Sequence, residues 1–202
     1  MTQRALFGEP GTPKLEMFAS SIFVMRDFLT TNEAASSFVD LRSNVEWRED
    51  TITVWGRRCK VPRLHAWMGP HPYSFSGLVM PARDMDPLVE MIRGKVEAVT
   101  GCRFNAVLLN FYRTGSDSVG WHADDEPSLG SQPAVATVSV GGVRTFQIRR
   151  HDKSDKRSLE LEPGSLLFMA PGAQEQWHHQ VPARARARAR ISLTFRNISP
   201  GG

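Results

Sequence analysis

Two histidines and one aspartate are the residues of this sequence whose types and spacing best fit a metal site. His122 and Asp124 are two positions apart, and His179 follows 55 residues after Asp124. Side chains at positions i and i+2 of an extended strand project to the same side, so His122 and Asp124 could chelate one ion. Two imidazoles and one carboxylate can hold Fe(II) by one face and leave the opposite coordination positions open. The pattern therefore predicts oxygen chemistry rather than a structural metal site.

This pattern alone is not decisive. A His-x-Asp tripeptide occurs more often in an ordinary surface loop than in a metal site. In addition, His178 is adjacent to His179, and only one of two neighbouring strand residues can point inward. Spacing does not choose between these two histidines.

A second polar set lies on the predicted strand Arg190–Arg196. The two arginines are six residues apart and share one face of the strand with Ser192 and Thr194. A buried arginine needs an anionic partner, and a dicarboxylate would let each guanidinium bind one carboxylate through two hydrogen bonds. The alternative is a pair of exposed arginines on a solvated face. The residues on the opposite face, which are expected to pack between two sheets, are Ile191, Leu193 and Phe195.

Asn110 and Tyr112 favour the dicarboxylate interpretation. They alternate onto one face of an otherwise apolar strand that leads into the loop before His122. An amide and a phenol at this place could complete a carboxylate pocket beside the metal.

Most of the elements that must position these residues are strands. After Gly101, seven short segments rich in β-branched and apolar residues are separated by Gly, Pro, Asp and Ser. Seven such strands without intervening helices favour a double-sheet jelly roll. The segments are Arg103–Arg113, Ala134–Val140, Arg144–Arg150, Ser158–Leu161, Ser165–Ala170, Trp177–Val181 and Arg190–Arg196.

Two helices are predicted upstream of the strands, packed against one sheet face. Thr30 and Glu33 have the spacing of a capping box at the start of the first helix. Asp86 and Pro87 are typical N-cap and first-turn residues for the second, and Gly101 is a typical C-terminal stop.

Composition indicates one ordinary globular domain. The chain has 202 residues, of which 41% are hydrophobic and 23% charged, and its two cysteines form no evident disulfide framework. The net charge of +4 alone is weak support for a polyanionic partner. Residues 1–14 are expected to be a flexible segment without a secretion signal, which favours a cytoplasmic location. Basic residues concentrate in two places, at 57–63 and in the Ala-Arg repeat 183–190.

The order and spacing of these motifs resemble the AlkB family of Fe(II)/2-oxoglutarate-dependent nucleic-acid dealkylases. The matching motifs are Asn110-Phe-Tyr112-Arg-x-Gly115, Gly120-Trp-His122-Ala-Asp124-Asp-Glu126, Trp177-His-His179-Gln-Val-Pro182 and Arg190-x-Ser-Leu-Thr-Phe-Arg196. The resemblance implies a mostly β fold, a double-stranded β-helix (cupin-like jelly roll) with N-terminal helices and a substrate lid. It implies a single dioxygenase domain over 15–198, with helical support and a nucleotide-recognition lid in 15–100 and the jelly-roll core in 103–198.

The same resemblance assigns roles to the polar residues. Fe(II) would be held by His122, Asp124 and His179, because the family's second histidine precedes x-x-Pro. Arg190, with Tyr112, would bind the distal carboxylate of 2-oxoglutarate. Arg196 and Asn110 would bind the metal-chelating end, and Thr194 would also line the pocket. Ser192 stands where the family commonly has asparagine, and its reach is shorter. The full set implied to bind 2-oxoglutarate is Asn110, Tyr112, Arg190, Ser192, Thr194 and Arg196.

Two upstream motifs are similar to the substrate lid of the animal DNA-repair branch of the family, although the chain between them is shorter than in that branch. They are Val54-Trp55-Gly56 followed by Val61-Pro62-Arg63, and Tyr73-Ser-Phe75-Ser-Gly77. Trp55 would fill the gap left by a flipped base, with a core strand residue as the alternative. Phe75 would stack on the damaged base, and Asp125 would contact the base edge. The residues implied to contact the substrate are Trp55, Gly56, Arg57, Tyr73, Ser74, Phe75 and Asp125.

The implied reaction is oxidative demethylation of bases such as 1-methyladenine and 3-methylcytosine in DNA. 2-Oxoglutarate and O2 are consumed, and succinate, CO2 and formaldehyde are released. The substrate is single- or double-stranded DNA, with RNA as a further candidate, and the base must leave the stack to react. The protein is expected to be monomeric, to have no membrane partner and, in a bacterium, to associate with the nucleoid. A dioxygenase for RNA or another substrate and a non-catalytic metal-dependent nucleic-acid binder remain alternatives.

Two further groups of residues are candidates for contact with nucleic acid. Arg184, Arg186 and Arg188 would contact phosphates, and a solvated mobile loop is the alternative. The remaining histidines are predicted to be solvated or to face nucleic acid; they are His65, His71 and His151.

Overall fold

Two antiparallel β-sheets of unequal size form the framework of the molecule. The computed structural model describes residues 14–54, 57–75 and 77–199, so the expectation for residues 1–13 lies outside the described part. The strands are β1 (Glu16–Ala19), β2 (Ile22–Met25), β3 (Thr51–Val54), β4 (Arg57–Lys60), β5 (Leu64–Met68), β6 (Tyr73–Phe75), β7 (Leu78–Met80), β8 (Ala106–Tyr112), β9 (Val119–His122), β10 (Val135–Gly141), β11 (Arg144–Arg150), β12 (Lys156–Leu161), β13 (Leu166–Met169), β14 (Trp177–Val181) and β15 (Arg190–Arg196).

The larger sheet has the strand order β1-β2-β13-β10-β15-β8-β5, and the smaller sheet has the order β12-β11-β14-β9. The β3–β4 and β6–β7 pairs form separate two-stranded hairpins. All seven strands predicted after Gly101 are present, and the jelly-roll fold is confirmed. Besides the two predicted helices, the segment 15–100 contains β1, β2 and β5, which extend the larger sheet. These strands are only four or five residues long, too short for a clear alternation of polar and apolar residues.

The helices are α1 (Thr31–Asn44), α2 (Pro87–Thr100) and the short α3 (Ala173–Gln176). The capping box of α1 is confirmed, because the backbone N–H of Thr30 donates to the Glu33 carboxylate over 2.8 Å and the backbone N–H of Glu33 donates to the Thr30 hydroxyl over 3.2 Å. α2 begins at Pro87, as predicted, and ends where Gly101 adopts a φ of 70°. The Asp86 side chain makes no capping hydrogen bond. Among the described residues, no helix is long and apolar enough to cross a bilayer.

One face of the larger sheet is covered by α1 and α2. Ala34 and Leu41 of α1 and Ile92 of α2 are buried in one core with the apolar residues of β15. The expectation that Ile191, Leu193 and Phe195 pack between the sheets was therefore wrong. These side chains meet the helices, which leaves the polar face of β15 directed toward the smaller sheet.

A second core lies between the two sheets. Phe146 and Ile148 of β11 pack there with Trp177 of β14 and Val24 of β2. Tyr112 at the end of β8 belongs to the same core. The polar residues of β15 thus lie on the side of the larger sheet that faces β9, β11 and β14.

Candidate active site

Sheet pairing brings the three predicted metal ligands together. His179 lies opposite His122 in the antiparallel pair of β14 and β9, and their ring centroids are 4.1 Å apart. Nε2 of His122 is 4.0 Å from Oδ1 of Asp124, and Nε2 of His179 is 4.0 Å from Oδ2. The three ligand atoms lie within 4.8 Å of one another. The arrangement could hold one metal ion.

Hydrogen bonds and packing set the orientation of these ligands. Nδ1 of His122 is 2.8 Å from the carbonyl oxygen of Gly120; if Nδ1 carries the proton, Nε2 is free to coordinate. The backbone N–H of Asp124 donates to Oε1 of buried Gln174 over 2.9 Å. The ring of His179 stacks on Phe146 at a centroid distance of 5.5 Å. Sequence reasoning missed Gln174, because a glutamine in a four-residue helix carries no distinguishing pattern.

Charge and burial favour the protonation states that metal binding requires. Burial lowers the pKa of His179 to about 3, and nearby His122 acts in the same direction, so the imidazole is neutral. Burial disfavours ionisation of Asp124, but the charged Arg196 guanidinium outweighs it and lowers the pKa of this carboxyl. A neutral imidazole and an ionised carboxylate are the forms that coordinate a cation.

The structure also distinguishes His179 from its neighbour. His178 is half-buried and its ring contacts His151 at a centroid distance of 4.1 Å, outside the cluster of metal-binding atoms. The expectation that His65 is solvated or faces nucleic acid was wrong. Its side chain is buried, and Nε2 is 2.9 Å from Oδ2 of Asp50. His65 lies on β5 opposite Asn110, where the sheet covers it.

All six residues predicted for 2-oxoglutarate line one cavity beside the metal ligands, which we call the inner cavity. Cross-strand pairing places Arg190 beside Tyr112, and Ser192 between Ser139 and Asn110. The residues that line the inner cavity include Asn110, Tyr112, His122, Asp124, His179, Arg190, Ser192, Thr194 and Arg196.

Arg190 occupies one end of this set. Its side chain is 1% exposed; Nη2 donates to the Ser139 hydroxyl over 2.8 Å, and its guanidinium carbon is 5.3 Å from the centroid of the Tyr112 ring. Nε and Nη1 are buried and have no hydrogen-bond partner. Burial lowers the pKa of Arg190 to about 10, which still leaves it charged at neutral pH.

Arg196 provides the second guanidinium and contacts Asp124, one of the three predicted metal ligands. Nη2 donates to Oδ1 of Asp124 over 2.6 Å, and Nη1 donates to the Tyr73 hydroxyl over 3.3 Å. Burial disfavours its charged form, but Asp124 more than compensates and raises the pKa of Arg196. Arg63 adds a third cation that was predicted only as part of a basic segment. Its Nε donates to Oδ1 of Asn110 over 2.6 Å.

These contacts fit an iron ion and a dicarboxylate. Oδ2 of Asp124 is buried without a hydrogen-bond partner, as are Nε and Nη1 of Arg190 and Nε of Arg196. Leaving such atoms unpaired is costly, so the site requires a cation near the carboxylate and an anion near the guanidiniums. Arg63, Arg190 and Arg196 share the inner cavity with Asp124, which leaves excess positive charge for a dianion.

A second cavity of about 420 Å³ adjoins the first, and we call it the outer cavity. His122, Asp124 and Arg196 line both cavities, so the predicted metal position lies where they meet. The outer cavity is also lined by Tyr73, whose ring stacks on Trp67 at 4.4 Å. Burial raises the pKa of Tyr73 and keeps its hydroxyl protonated.

The predicted substrate residues have different positions. Tyr73 and Ser74 line the outer cavity, whereas Asp125 is exposed and is not among its lining residues. Its neighbour Glu126 lines the cavity instead. Oε1 of Glu126 accepts a hydrogen bond from the Tyr73 hydroxyl over 2.7 Å, and Oε2 is buried without a partner.

The remaining predicted lid residues are only partly described. Trp55 and Gly56 lie outside the described residues. Arg57 begins β4 and Phe75 ends β6, and their side chains are likewise outside the described part.

Basic side chains lie on the smaller sheet and the Ala-Arg repeat. The guanidinium carbon of Arg149 is 4.3 Å, and Nζ of Lys156 is 5.7 Å, from the ring centroid of Trp121, the residue before His122. Arg184 forms an ion pair with Glu160. Arg186 and Arg188 are exposed and, within the described ranges, form no ion pair.

Comparison with known proteins agrees with this geometry. The sequence profile of the 2OG-Fe(II) oxygenase superfamily matches residues 21–196. The chain belongs to this superfamily. As in the superfamily's name, its cofactors are Fe(II) and 2-oxoglutarate, with O2 as the second co-substrate. The oxygenase fold and the expected AlkB relationship are confirmed.

Among curated relatives, the alpha-ketoglutarate-dependent dioxygenase alkB homolog 3 of Bos taurus is 38% identical over 192 residues, which cover 90% of this chain and 67% of that protein. DNA oxidative demethylase ALKBH2 of Mus musculus is 38% identical over 182 residues, covering 83% of this chain and 76% of its own length. The solved structure of OsALKBH1 superposes with a TM-score of 0.65 at 17% identity and covers 91% of this oxygenase chain and 99% of its own. This last similarity supports the fold.

Proposed function

We propose that this oxygenase is a DNA oxidative demethylase that repairs N-methylated bases, including 1-methyladenine and 3-methylcytosine. The observation that carries the proposal is the meeting of the two cavities at His122 and Asp124. One cavity suits a dicarboxylate, and the other presents polar and aromatic groups to a second molecule. The names of the relatives, an alkB homolog and a DNA oxidative demethylase, support DNA as that second molecule.

The protein's own residues position the reactants. His122, Asp124 and His179 would hold Fe(II), and Arg190 would bind the far carboxylate of 2-oxoglutarate in the position set by Ser139 and Tyr112. Arg196 would neutralise the carboxylate of 2-oxoglutarate that lies nearest the metal. When bound, Fe(II), 2-oxoglutarate and O2 supply the oxidising power: one oxygen atom leaves with succinate and the other enters a C–H bond of the methyl group.

Glu126 is placed to recognise the base. Its unpartnered Oε2 can accept a hydrogen bond from the exocyclic amino group that 1-methyladenine and 3-methylcytosine share. The Tyr73 hydroxyl, which donates to Oε1, fixes the carboxylate. The hydroxymethyl group left on the ring nitrogen then loses formaldehyde and restores the base.

The surroundings of the site suit a polyanion. Arg186 and Arg188, which precede β15, and Arg149 and Lys156 beside Trp121 offer positive charge on the surface. Contacts from such residues to phosphate do not depend on sequence and weaken with salt. A base inside the duplex cannot reach the metal, so the protein acts on a flipped or single-stranded base. We propose further that it works as a monomer in the cytoplasm.

Mass spectrometry of methylated oligonucleotides tests the proposal. The protein is incubated with Fe(II), 2-oxoglutarate and ascorbate, and each repaired lesion should lose the mass of one methylene group. Asp124→Ala should abolish the loss, and His178→Ala should retain it. Conversion of 2-oxoglutarate to succinate with no change in any DNA oligonucleotide would refute DNA repair. RNA oligonucleotides in the same assay would then identify an RNA-directed oxygenase.

A further inference from the structure

Arg144 is a fully buried arginine that the proposed reaction does not use. It is 0% exposed, and within the described ranges it forms no ion pair. Its guanidinium instead donates to three backbone carbonyls. Nη1 donates to Thr114 over 3.2 Å, and Nη2 donates to Asp117 over 2.7 Å and to Pro182 over 2.8 Å. A buried cation whose hydrogen bonds all go to peptide carbonyls is unusual enough to need an explanation.

The three carbonyls belong to the two segments that connect to the metal-binding strands. Thr114 and Asp117 precede β9, which ends at His122, and Pro182 follows β14, which contains His179. Arg144 begins β11, which pairs with β14. The Arg144 side chain therefore connects the loop before β9 to the residue that follows β14.

Arg144 also contacts Tyr112. Its guanidinium carbon is 5.1 Å from the centroid of the Tyr112 ring, and that of Arg190 is 5.3 Å from the same centroid. Tyr112 and Arg190 line the inner cavity, whereas Arg144 is not among the lining residues. Burial lowers the pKa of both guanidiniums. The ring thus stabilises two buried cations, and its position is coupled to both of them.

We propose that Arg144 is a positioning residue for 2-oxoglutarate, acting through Tyr112 on the end of the inner cavity where Arg190 lies. The inference rests on the proposed use of this cavity by 2-oxoglutarate. Arg144 fixes the ring against which the Arg190 guanidinium packs, and it keeps the loop after Tyr112 in place through Thr114 and Asp117. A guanidinium is suited to this role because its planar fork reaches several carbonyls at once.

Binding of 2-oxoglutarate to the Mn(II)-loaded protein, measured by titration calorimetry without nucleic acid, tests the inference. Arg144→Met should raise the Kd of 2-oxoglutarate by about tenfold or more, the range found for residues that orient ligands. Arg144→Lys, which keeps the charge and three donors, should give a smaller increase. The Kd of Mn(II) should stay within about threefold of the wild-type value, since the imidazoles and Asp124 are untouched.

Arg113→Lys is the matched control. Arg113 holds the same loop, with Nε 2.8 Å from Oδ2 of Asp117, and its guanidinium bonds to Asp117 and Glu49 rather than contacting Tyr112. It should leave the Kd of 2-oxoglutarate unchanged. If Arg113→Lys weakens binding as much as Arg144→Lys does, Arg144 only holds the loop and the inference fails.

A double variant tests the route through the ring. In a Tyr112→Leu background, Arg144→Lys should cause little further loss of affinity, because residues that act through one contact are not additive. If the losses of 2-oxoglutarate affinity from the two changes were fully additive, the role of Tyr112 would be refuted. Failure of the wild-type protein itself to bind 2-oxoglutarate would instead overturn the proposed function. Wild-type binding with unchanged affinity in folded Arg144→Lys would overturn only the inference.

Discussion

His179 lies directly across an antiparallel strand pair from His122, and this pairing places the two imidazoles side by side. The register shifts between His179 and Val181, so the irregularity begins just beyond the facing pair. Cross-strand neighbours have Cβ atoms about 5 Å apart, a separation that suits two ligands of one ion. The sheet itself therefore sets the metal geometry, and Asp124 needs only to follow β9 by two residues.

His179→Ala should abolish binding of Mn(II), used as a probe for Fe(II), whereas His178→Ala should leave it intact. The first change leaves only His122 and Asp124 as ligands, and the second removes a ring that packs on His151. Electron paramagnetic resonance of added Mn(II) distinguishes the bound ion from the free ion. Equal metal binding by the two variants would show that the cluster is not the metal site.

Dicarboxylates should stabilise the metal-free protein, because Arg190 is buried with two unpartnered nitrogen atoms. At 100 times its Kd, 2-oxoglutarate should add about 2.7 kcal/mol, or roughly 5–10 °C in Tm. Arg190→Met should remove this response, and without ligand its Tm should be no lower than that of the wild type. Pentanoate serves as the monocarboxylate control in differential scanning fluorimetry. If pentanoate raised the Tm as much as 2-oxoglutarate does, the protein would not recognise both carboxylates of 2-oxoglutarate.

Glu126→Gln should lower kcat/KM for 1-methyladenine and 3-methylcytosine by about tenfold or more, since a hydrogen bond to a charged acceptor is lost. The amide keeps the shape of the side chain and can still accept from the Tyr73 hydroxyl. Asp125→Asn is the isosteric control on the neighbouring exposed carboxylate and should have little effect. The reverse result in the oligonucleotide assay would assign base recognition to Asp125.

Replacement of Arg186 and Arg188 by alanine should raise the KM for DNA and reduce the salt dependence of binding. If each arginine contacts one phosphate, the slope of log K against log salt should fall in magnitude by about 1.4–1.8. Adding Arg184→Ala should change little more, because Arg184 is paired with Glu160. Arg103→Ala, three residues beyond the end of α2, is the control. A full salt slope in the double variant would show that the repeat does not touch phosphate.

Glu33 should make stability depend on pH in the acid range. Hydrogen bonds from Lys95 and Thr30 lower the pKa of Glu33 to about 2 from its ordinary 4.5. Its contribution is therefore complete above pH 4.5 and is lost as the pH falls toward 2. Glu33→Gln and Lys95→Met should both reduce the pH dependence of the free energy of unfolding between pH 4.5 and pH 2. Urea unfolding at a series of pH values measures this dependence. An unchanged pH slope in Glu33→Gln would contradict the assignment.

The sequence allowed the regular parts of the molecule to be predicted, because their signals are local. The capping box at Thr30 and the stop at Gly101 follow from neighbouring residues, and the alternation along β15 identified which side chains share a face. The direction of that face was predicted wrongly for Ile191, Leu193 and Phe195. Alternation separates two faces but does not say which one meets the helices.

The supporting residues of the site could not be predicted, because their partners are distant in the chain. Gln174 holds the backbone of Asp124 from 50 positions away, and Arg63 reaches Asn110 across 47. Glu126 and Asp125 are adjacent acids, and only the turn of the backbone decides which one enters the outer cavity. No local pattern carries such information.

The position of β9 has a consequence for the metal-free protein. β9 is the outermost strand of the smaller sheet and, among the described residues, has β14 as its sole sheet neighbour. An ion bound by both His122 and His179 would act as a removable cross-link between this edge strand and β14. Bound iron would thus stabilise the sheet as well as take part in the reaction. Without it, β9 would separate more readily from β14 beside the inner cavity.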